Sequence, residues 1–161
     1  MFHIRKFKLK DFKLDAEEPT GCVNGWKVYG WCSEGSLSSC ELLTRAKLME
    51  ELDAKHLLSG MAKLIGLACV GKPLKDMYDS KKCHESFTFT RHNGAEEKIH
   101  RIWPSGDMRI YFCYGSNKTI IVFYGLSKRK DKLTDGEKGE LQVACEAFLT
   151  AQEQNKLIIL E

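Results

Sequence analysis

The sequence predicts an α+β fold: a small antiparallel or mixed twisted sheet, with helices before it in the chain and one helix after it packed on it. Three stretches carry that expectation. Residues 99–124 read as three strands, Ile99–Trp103, Arg109–Tyr114 and Thr119–Tyr124, rich in apolar, β-branched and aromatic residues. Turn formers join them at Pro104-Ser105-Gly106-Asp107 and Gly115-Ser116-Asn117-Lys118. Upstream, Leu42, Ala46, Met49, Leu52, Leu57, Met61, Leu64 and Ile65 recur at helical spacing. Downstream, Thr134 and Glu137 have the spacing of a capping box, and Leu141, Ala144, Cys145 and Phe148 form an apolar stripe that should lie on the sheet.

Length and composition set the frame. A chain of 161 residues, 43% apolar and 29% charged, is expected to form one globular domain. No apolar run approaches the ~20 residues that span a bilayer, so no membrane partner is expected. Met1-Phe2-His3-Ile4-Arg5-Lys6 alternates charge with apolar residues, unlike a secretory signal. Cys22, Cys32, Cys40, Cys69, Cys83, Cys113 and Cys145 are odd in number and contain no C-x-x-C pair. They are expected to be reduced thiols of a cytoplasmic protein.

Residues 1–25 read as a basic N-terminal extension and 26–161 as the globular unit. In the extension Phe2, Ile4, Phe7 and Leu9 alternate with five basic residues, which suggests a half-buried edge strand. A loop follows at Asp15–Gly21, and then an aromatic strand at Trp26–Cys32. Trp26 and Trp31 are read either as nucleobase platforms or, the commoner role beside a sheet, as core. Ser38 and Glu41 have capping-box spacing, Gly60 divides the helical pattern in two, and Gly71-Lys72-Pro73 ends it. Glu50, Glu51 and Asp53 are placed on a solvated mid-helix face, and His56 among the leucines is read as structural. Phe87–Thr90 is a short strand candidate. Cys83, His84, His92 and His100 match no zinc spacing, so neither metal nor cofactor is expected. The apolar tail Leu157–Leu160 is read either as a closing strand or as a partner-binding segment.

Charge is distributed unevenly. Between Ile99 and Lys132 lie Arg101, Arg109, Lys118, Lys128, Arg129, Lys130 and Lys132 against Asp107 and Asp131, a balance of +5. The whole chain carries +3, so the remainder sums to −2. A sheet bearing nearly all the surplus positive charge suggests a face for a polyanion, most simply RNA or DNA.

The same stretch resembles the RelE/HigB family of bacterial toxins. Met108-Arg109-Ile110-Tyr111-Phe112 is similar to that family's Y-R-(V/I)-x-Y/F strand, and Lys118–Arg129 to its K-x-I-x-L-L-H-G-F-x-K-K element. Lys132 falls at the lysine of its K-K-x-x-K-T-P, and Glu137 opens its C-terminal E-x-x-x-A helix. The resemblance covers roughly residues 26–153 and is close to specific over 108–132. Tyr124 stands where many relatives carry histidine, Leu133-Thr134 replaces Thr-Pro, and the W-E-L-R strand is met only by Arg101 in Glu97–Arg101.

The resemblance implies a toxin of a toxin–antitoxin pair: a metal-independent endoribonuclease that cuts mRNA on the ribosome by 2′-hydroxyl attack and is silenced by a cognate antitoxin. Arg109 is then the phosphate clamp, with Arg101 beside it and Lys118, Lys128, Arg129, Lys130 and Lys132 as RNA-backbone binders. Arginine cannot act as general base, so proton transfer is assigned among His100, Tyr111 and Tyr124. Strand alternation puts Arg109 and Tyr111 on one face and sends His100 and Arg101 to opposite faces. Two other classes fit the same sequence. One is a non-catalytic RNA- or ribosome-binding module, and the other a protein-interaction domain using the acidic helices and apolar tail.

Overall fold

In the computed structural model, which describes residues 1–13, 15–130 and 132–161, seven strands form one mixed sheet. In chain order the elements are β1 (Phe2–Lys6), β2 (Lys27–Trp31), α1 (Glu41–Ala46), α2 (Glu51–Val70), β3 (Cys83–Thr90), β4 (Glu96–Ile102), β5 (Met108–Gly115), β6 (Thr119–Ser127), α3 (Asp135–Glu153) and β7 (Leu157–Leu160). Across the sheet the order is β3-β4-β5-β6-β2-β1-β7.

This corrects the expected fold. The sheet is neither small nor antiparallel, and the chain opens with two strands rather than with helices. β3 through β6 form an antiparallel meander, but β2 runs parallel to β6 and β7 parallel to β1. Nor is β1 an edge: β2 and β7 flank it, and Phe2 and Ile4 are buried. The reason is topological. A parallel pair joins segments that no short turn connects, as in the ladder from Phe2↔Leu157 to Arg5↔Leu160. The tail is thereby a closing strand.

Both faces of the sheet are covered. Val28, Ile102, Met108, Ile110, Phe112, Ile120 and Val122 pack against Leu42 of α1 and Leu57, Met61 and Leu64 of α2. Phe2, Ile4, Ile99, Tyr111, Cys113, Ile121 and Phe123 pack against Leu141, Ala144, Cys145 and Phe148 of α3, the stripe read from the sequence. β5 and β6 therefore read as near-continuous apolar runs, as strands buried on both sides do.

The helices begin and end for local reasons, some of them unexpected. Gly71, at φ +82, caps α2 as the sequence suggested. Thr134 and Glu137 form their capping box: Thr134 Oγ1 accepts from the Glu137 amide at 3.1 Å, and Glu137 Oε1 from the Thr134 amide at 2.8 Å. The Ser38–Glu41 box does not form, because α1 starts from Cys40 and the Ser38 hydroxyl bonds to Ser36 Oγ at 3.0 Å. The helical break falls after Ala46, not at Gly60. Gly60 lies inside α2, where a Cβ would meet the Pro104 ring at 2.6 Å, so its role is close approach of the β4–β5 turn. Glu51 and Asp53 occupy the first turn of α2 rather than its middle, facing the positive end of the helix dipole.

The cysteines are not all free. Cys22 and Cys69 form a disulfide, whereas Cys32, Cys40, Cys83, Cys113 and Cys145 are buried thiols. The bridge ties the loop before β2 to the last turn of α2. Around it the Trp26 amide donates to Ala68 O at 2.7 Å, and Lys118 Nζ donates to Asn24 O and Gly71 O at 2.8 and 2.7 Å. Among the described residues, no helix is long and apolar enough to cross a membrane. Closing a loop across a separation of 47 residues should add about 2–4 kcal/mol. Urea unfolding with and without reductant should show that difference, and Cys22→Ser should abolish the dependence on reductant.

Candidate functional site

The β4–β5 ladder decides which side chains meet. Arg101 pairs with Tyr111 and Ile102 with Ile110. Since Ile102 and Ile110 face α2, alternation sends Arg101, Arg109 and Tyr111 to the α3 side, while Trp103, just past the end of β4, stands at the sheet's margin and also borders Ser59, Gly60 and Lys63 of α2. At the end of that face the Arg109 guanidinium lies 4.6 Å from the Trp103 ring centroid, and Lys82 Nζ lies 4.0 Å from the same ring. Two cations on one indole make a fixed positive corner.

The two arginines are held from below. Arg109 Nη1 donates to Gly106 O at 3.4 Å and to Met108 O at 3.3 Å, while Arg101 Nη1 donates to Lys81 O at 3.1 Å. Their exposures are only 6% and 4%, so Arg109 is not the open clamp that the sequence suggests. Arg101 Nη2 also contacts His84 Nε2. The other ring nitrogen, Nδ1, lies 2.6 Å from Glu85 O, so His84 is oriented by its neighbours.

Beside this corner the chain leaves β6 as the basic run. The Lys128 amide donates to Asp107 O at 2.7 Å, pinning the run to the β4–β5 turn, and Lys128 Nζ pairs with Glu137 at 2.5 Å. Arg129, Lys130 and Lys132 are exposed. Asp131, counted in the charge of this run, lies outside the described residues.

The other predicted residues lie elsewhere. His100 faces the α2 side, 5.5 Å from the Phe112 ring and 4.7 Å from the Tyr114 ring, so the sheet separates it from Arg109. Burial pulls its pKa below the ordinary histidine value. Tyr111 and Tyr124 stand opposite each other in the β5–β6 ladder and are fully buried. The Tyr124 ring lies 3.7 Å beneath the Arg45 guanidinium, itself paired with Glu140, and burial pushes its phenol well up. Lys118 sits at the far end of β6, roughly 30 Å along the strand from Lys128. Its ammonium is engaged by the carbonyls of Asn24 and Gly71.

Three participants escaped the sequence reading: His84, Lys82 and Trp103. Only the β3–β4 register, His84↔Arg101, brings the histidine to the arginine. A hairpin at Arg91–Gly94 extended back in regular register would have set His84 opposite Ile102; the bulge between Glu85 and Phe87 moves it to Arg101, and nothing in the sequence marks that bulge. Among the described residues, no group of three His, Cys, Asp or Glu side chains is placed to hold a metal ion.

Compared with known proteins, the chain matches no family model, no curated protein and no solved structure. The likeness of 108–132 to the RelE/HigB toxins thus rests on those residues alone.

The Lys128–Glu137 pair has a measurable consequence. Burial raises the Glu137 pKa, but the Lys128 ammonium and the Thr134 amide more than offset it, and the carboxyl is held below its usual range. A depressed carboxyl stabilises the fold above the ordinary value of about 4.3 and loses that contribution as pH falls through its own lower value. Urea unfolding at pH 7 and pH 3 should therefore show a smaller acid loss for Glu137→Gln, by about 0.5–1 kcal/mol.

Proposed function

We propose that the chain is an RNA-cleaving toxin of the RelE/HigB kind, acting on ribosome-bound mRNA in the cytoplasm and held silent by a cognate antitoxin. The observation that carries this reading is the clustering of Arg101, Trp103, Arg109 and Lys82 at the same end of the sheet as the basic run that starts at Lys128. Such a corner offers preorganised positive charge to a phosphate, with a ring on which a base can stack. The exposed Arg129, Lys130 and Lys132 extend it along a sugar–phosphate chain. Reducing conditions in the cytoplasm would open Cys22–Cys69 and leave the surrounding hydrogen bonds to hold that loop.

Of the histidines, His84 fits the general-base role in place of His100, because it lies beside Arg101. In the proposed step the phosphate draws Arg101 to itself and uncovers His84 Nε2. That nitrogen takes the proton of the ribose 2′-hydroxyl as its oxygen attacks phosphorus. The bond to the 5′-oxygen breaks, and that oxygen leaves with a proton from a lysine of the basic run. The products are a 2′,3′-cyclic phosphate and a 5′-hydroxyl end.

One observation favours a second reading, a binding module without catalysis: both guanidiniums are buried and already donate to carbonyls. Induced expression in bacteria with mapping of new RNA 5′ ends separates the two. The toxin should arrest growth and create new 5′-hydroxyl ends, and His84→Gln should lower cleavage by about 10²–10⁴ while leaving RNA binding intact. Binding without new ends would establish the second reading. Neutralising Arg129, Lys130 and Lys132 together should weaken binding and reduce the salt slope by about 2. Arg109→Ala should abolish cleavage, with circular dichroism to check that removing a buried guanidinium leaves the fold intact.

A further inference from the structure

On the α2 side of the sheet, bordered at one edge by His84, lies a cleft of about 610 Å³ between the segment Pro73–Lys75 that follows α2 and strands β3, β4 and β5. Its walls are aromatic. The Trp26 and Tyr114 ring centroids are 5.2 Å apart and tilted by 45°, and His100 meets Tyr114 at 4.7 Å. Leu74 and Cys83 form the apolar floor, while Lys75 and Glu85 stand at the rim. The volume is that of a small-ligand site.

Trp26 and Trp31 part company here. Trp31 is packed into the sheet against Phe2 and Phe123. Trp26 is only half-buried, and its position is heavily determined without the disulfide: its amide donates to Ala68 O, its indole Nε1 donates to Lys72 O at 2.9 Å, and Lys118 Nζ ties Asn24 O to Gly71 O beside it. So rigid a placement for a partly exposed ring suits a stacking platform better than a filler of core volume.

Polar atoms at the wall narrow the ligand further. Neither the His100 ring nitrogens nor the Tyr114 hydroxyl has a hydrogen-bond partner among the described residues. Burial lowers the His100 pKa, which keeps the ring neutral at pH 7, with one donor and one acceptor nitrogen. Burial also keeps the Tyr114 phenol protonated as a donor. A purely apolar aromatic group would leave these atoms unpaired, at a cost. A planar ring with donors and acceptors on its edge would pair them.

We propose that the Trp26–His100–Tyr114 cleft binds a single unpaired nucleobase, stacked on Trp26 and Tyr114 and hydrogen-bonded at its edge by His100, with Lys75 at the rim for the attached phosphate. The choice of a nucleotide as ligand rests on the RNA reading of the chain and extends it to the opposite face of the sheet.

Titration of the full chain with AMP, GMP, CMP and UMP, followed by tryptophan fluorescence, tests this. At least one nucleotide should quench saturably, and Trp26→Phe should remove a saturable component of the change whereas Trp31→Phe, in the sheet core, should not. Tyr114→Ala and His100→Ala should each weaken binding at least about fivefold. Should either fail to fold, the exposed Lys75→Glu should weaken the nucleotide and leave its nucleoside unaffected. Quenching that survives Trp26→Phe and vanishes with Trp103→Phe would overturn the cleft while supporting the cationic corner as an RNA site. Saturable quenching by N-acetyl-phenylalanine amide and by no nucleotide would overturn it in favour of an aromatic side chain of a protein partner. Cleft binding by a protein that produces no new RNA ends would uphold this inference and overturn the nuclease reading.

Discussion

Strand β6 is the constraint on which the rest of the molecule depends. Every residue from Thr119 to Gly125 is buried, with β5 antiparallel on one side and β2 parallel on the other. Helices cover both of its faces, so its amides and carbonyls must be satisfied within the ladder. One irregularity follows. Between Tyr111↔Tyr124 and Phe112↔Val122 the ladder takes in Phe123 as an extra residue. The bulge turns Phe123 and Tyr124 together toward the α3 core, whereas strict alternation would have sent one of them toward α2. Beyond it Leu126 stands opposite Arg109, and the chain leaves the sheet on the side where the basic run meets the cationic corner.

Burial on both faces also explains the character of that corner. A guanidinium at the margin of a core needs acceptors for its donors, and Nη1 of Arg101 donates to Lys81 O while Nη1 of Arg109 donates to the carbonyls of Gly106 and Met108. Their charge is therefore held in place rather than waving in solvent, which suits electrostatic preorganisation and limits access. The exposed cations of the adjoining run complement them. On the proposed reading they would meet a strand of RNA first, and recognition and charge stabilisation would be divided between two kinds of basic side chain.

Lys118 shows how a charge count misleads. In the sequence it belongs with the other basic residues of the 99–132 stretch. In the fold its ammonium bridges two carbonyls at the junction of the Cys22–Cys69 loop and the C-terminus of α2. It closes the start of the β2–β6 pairing, where Lys27 stands opposite Thr119 and its amide donates to Lys118 O at 2.8 Å. The same junction holds Trp26 at the mouth of the aromatic cleft, so Lys118 supports the wall of the site proposed there.

What the sequence determined by itself was local. The three central strands, the capping box at Thr134, the left-handed cap at Gly71 and the apolar stripe of α3 all follow from periodicity and turn chemistry within a few residues. The opposition of His100 and Arg101 was equally legible, since alternate side chains of a strand point to opposite faces. Tertiary structure alone decided the seven-stranded mixed sheet, the interior position of β1, the pairing of His84 with Arg101 and the burial of Arg109. Each of these depends on which distant segment lies alongside, and a parallel partner more than a hundred residues away leaves no mark on the pattern of either strand.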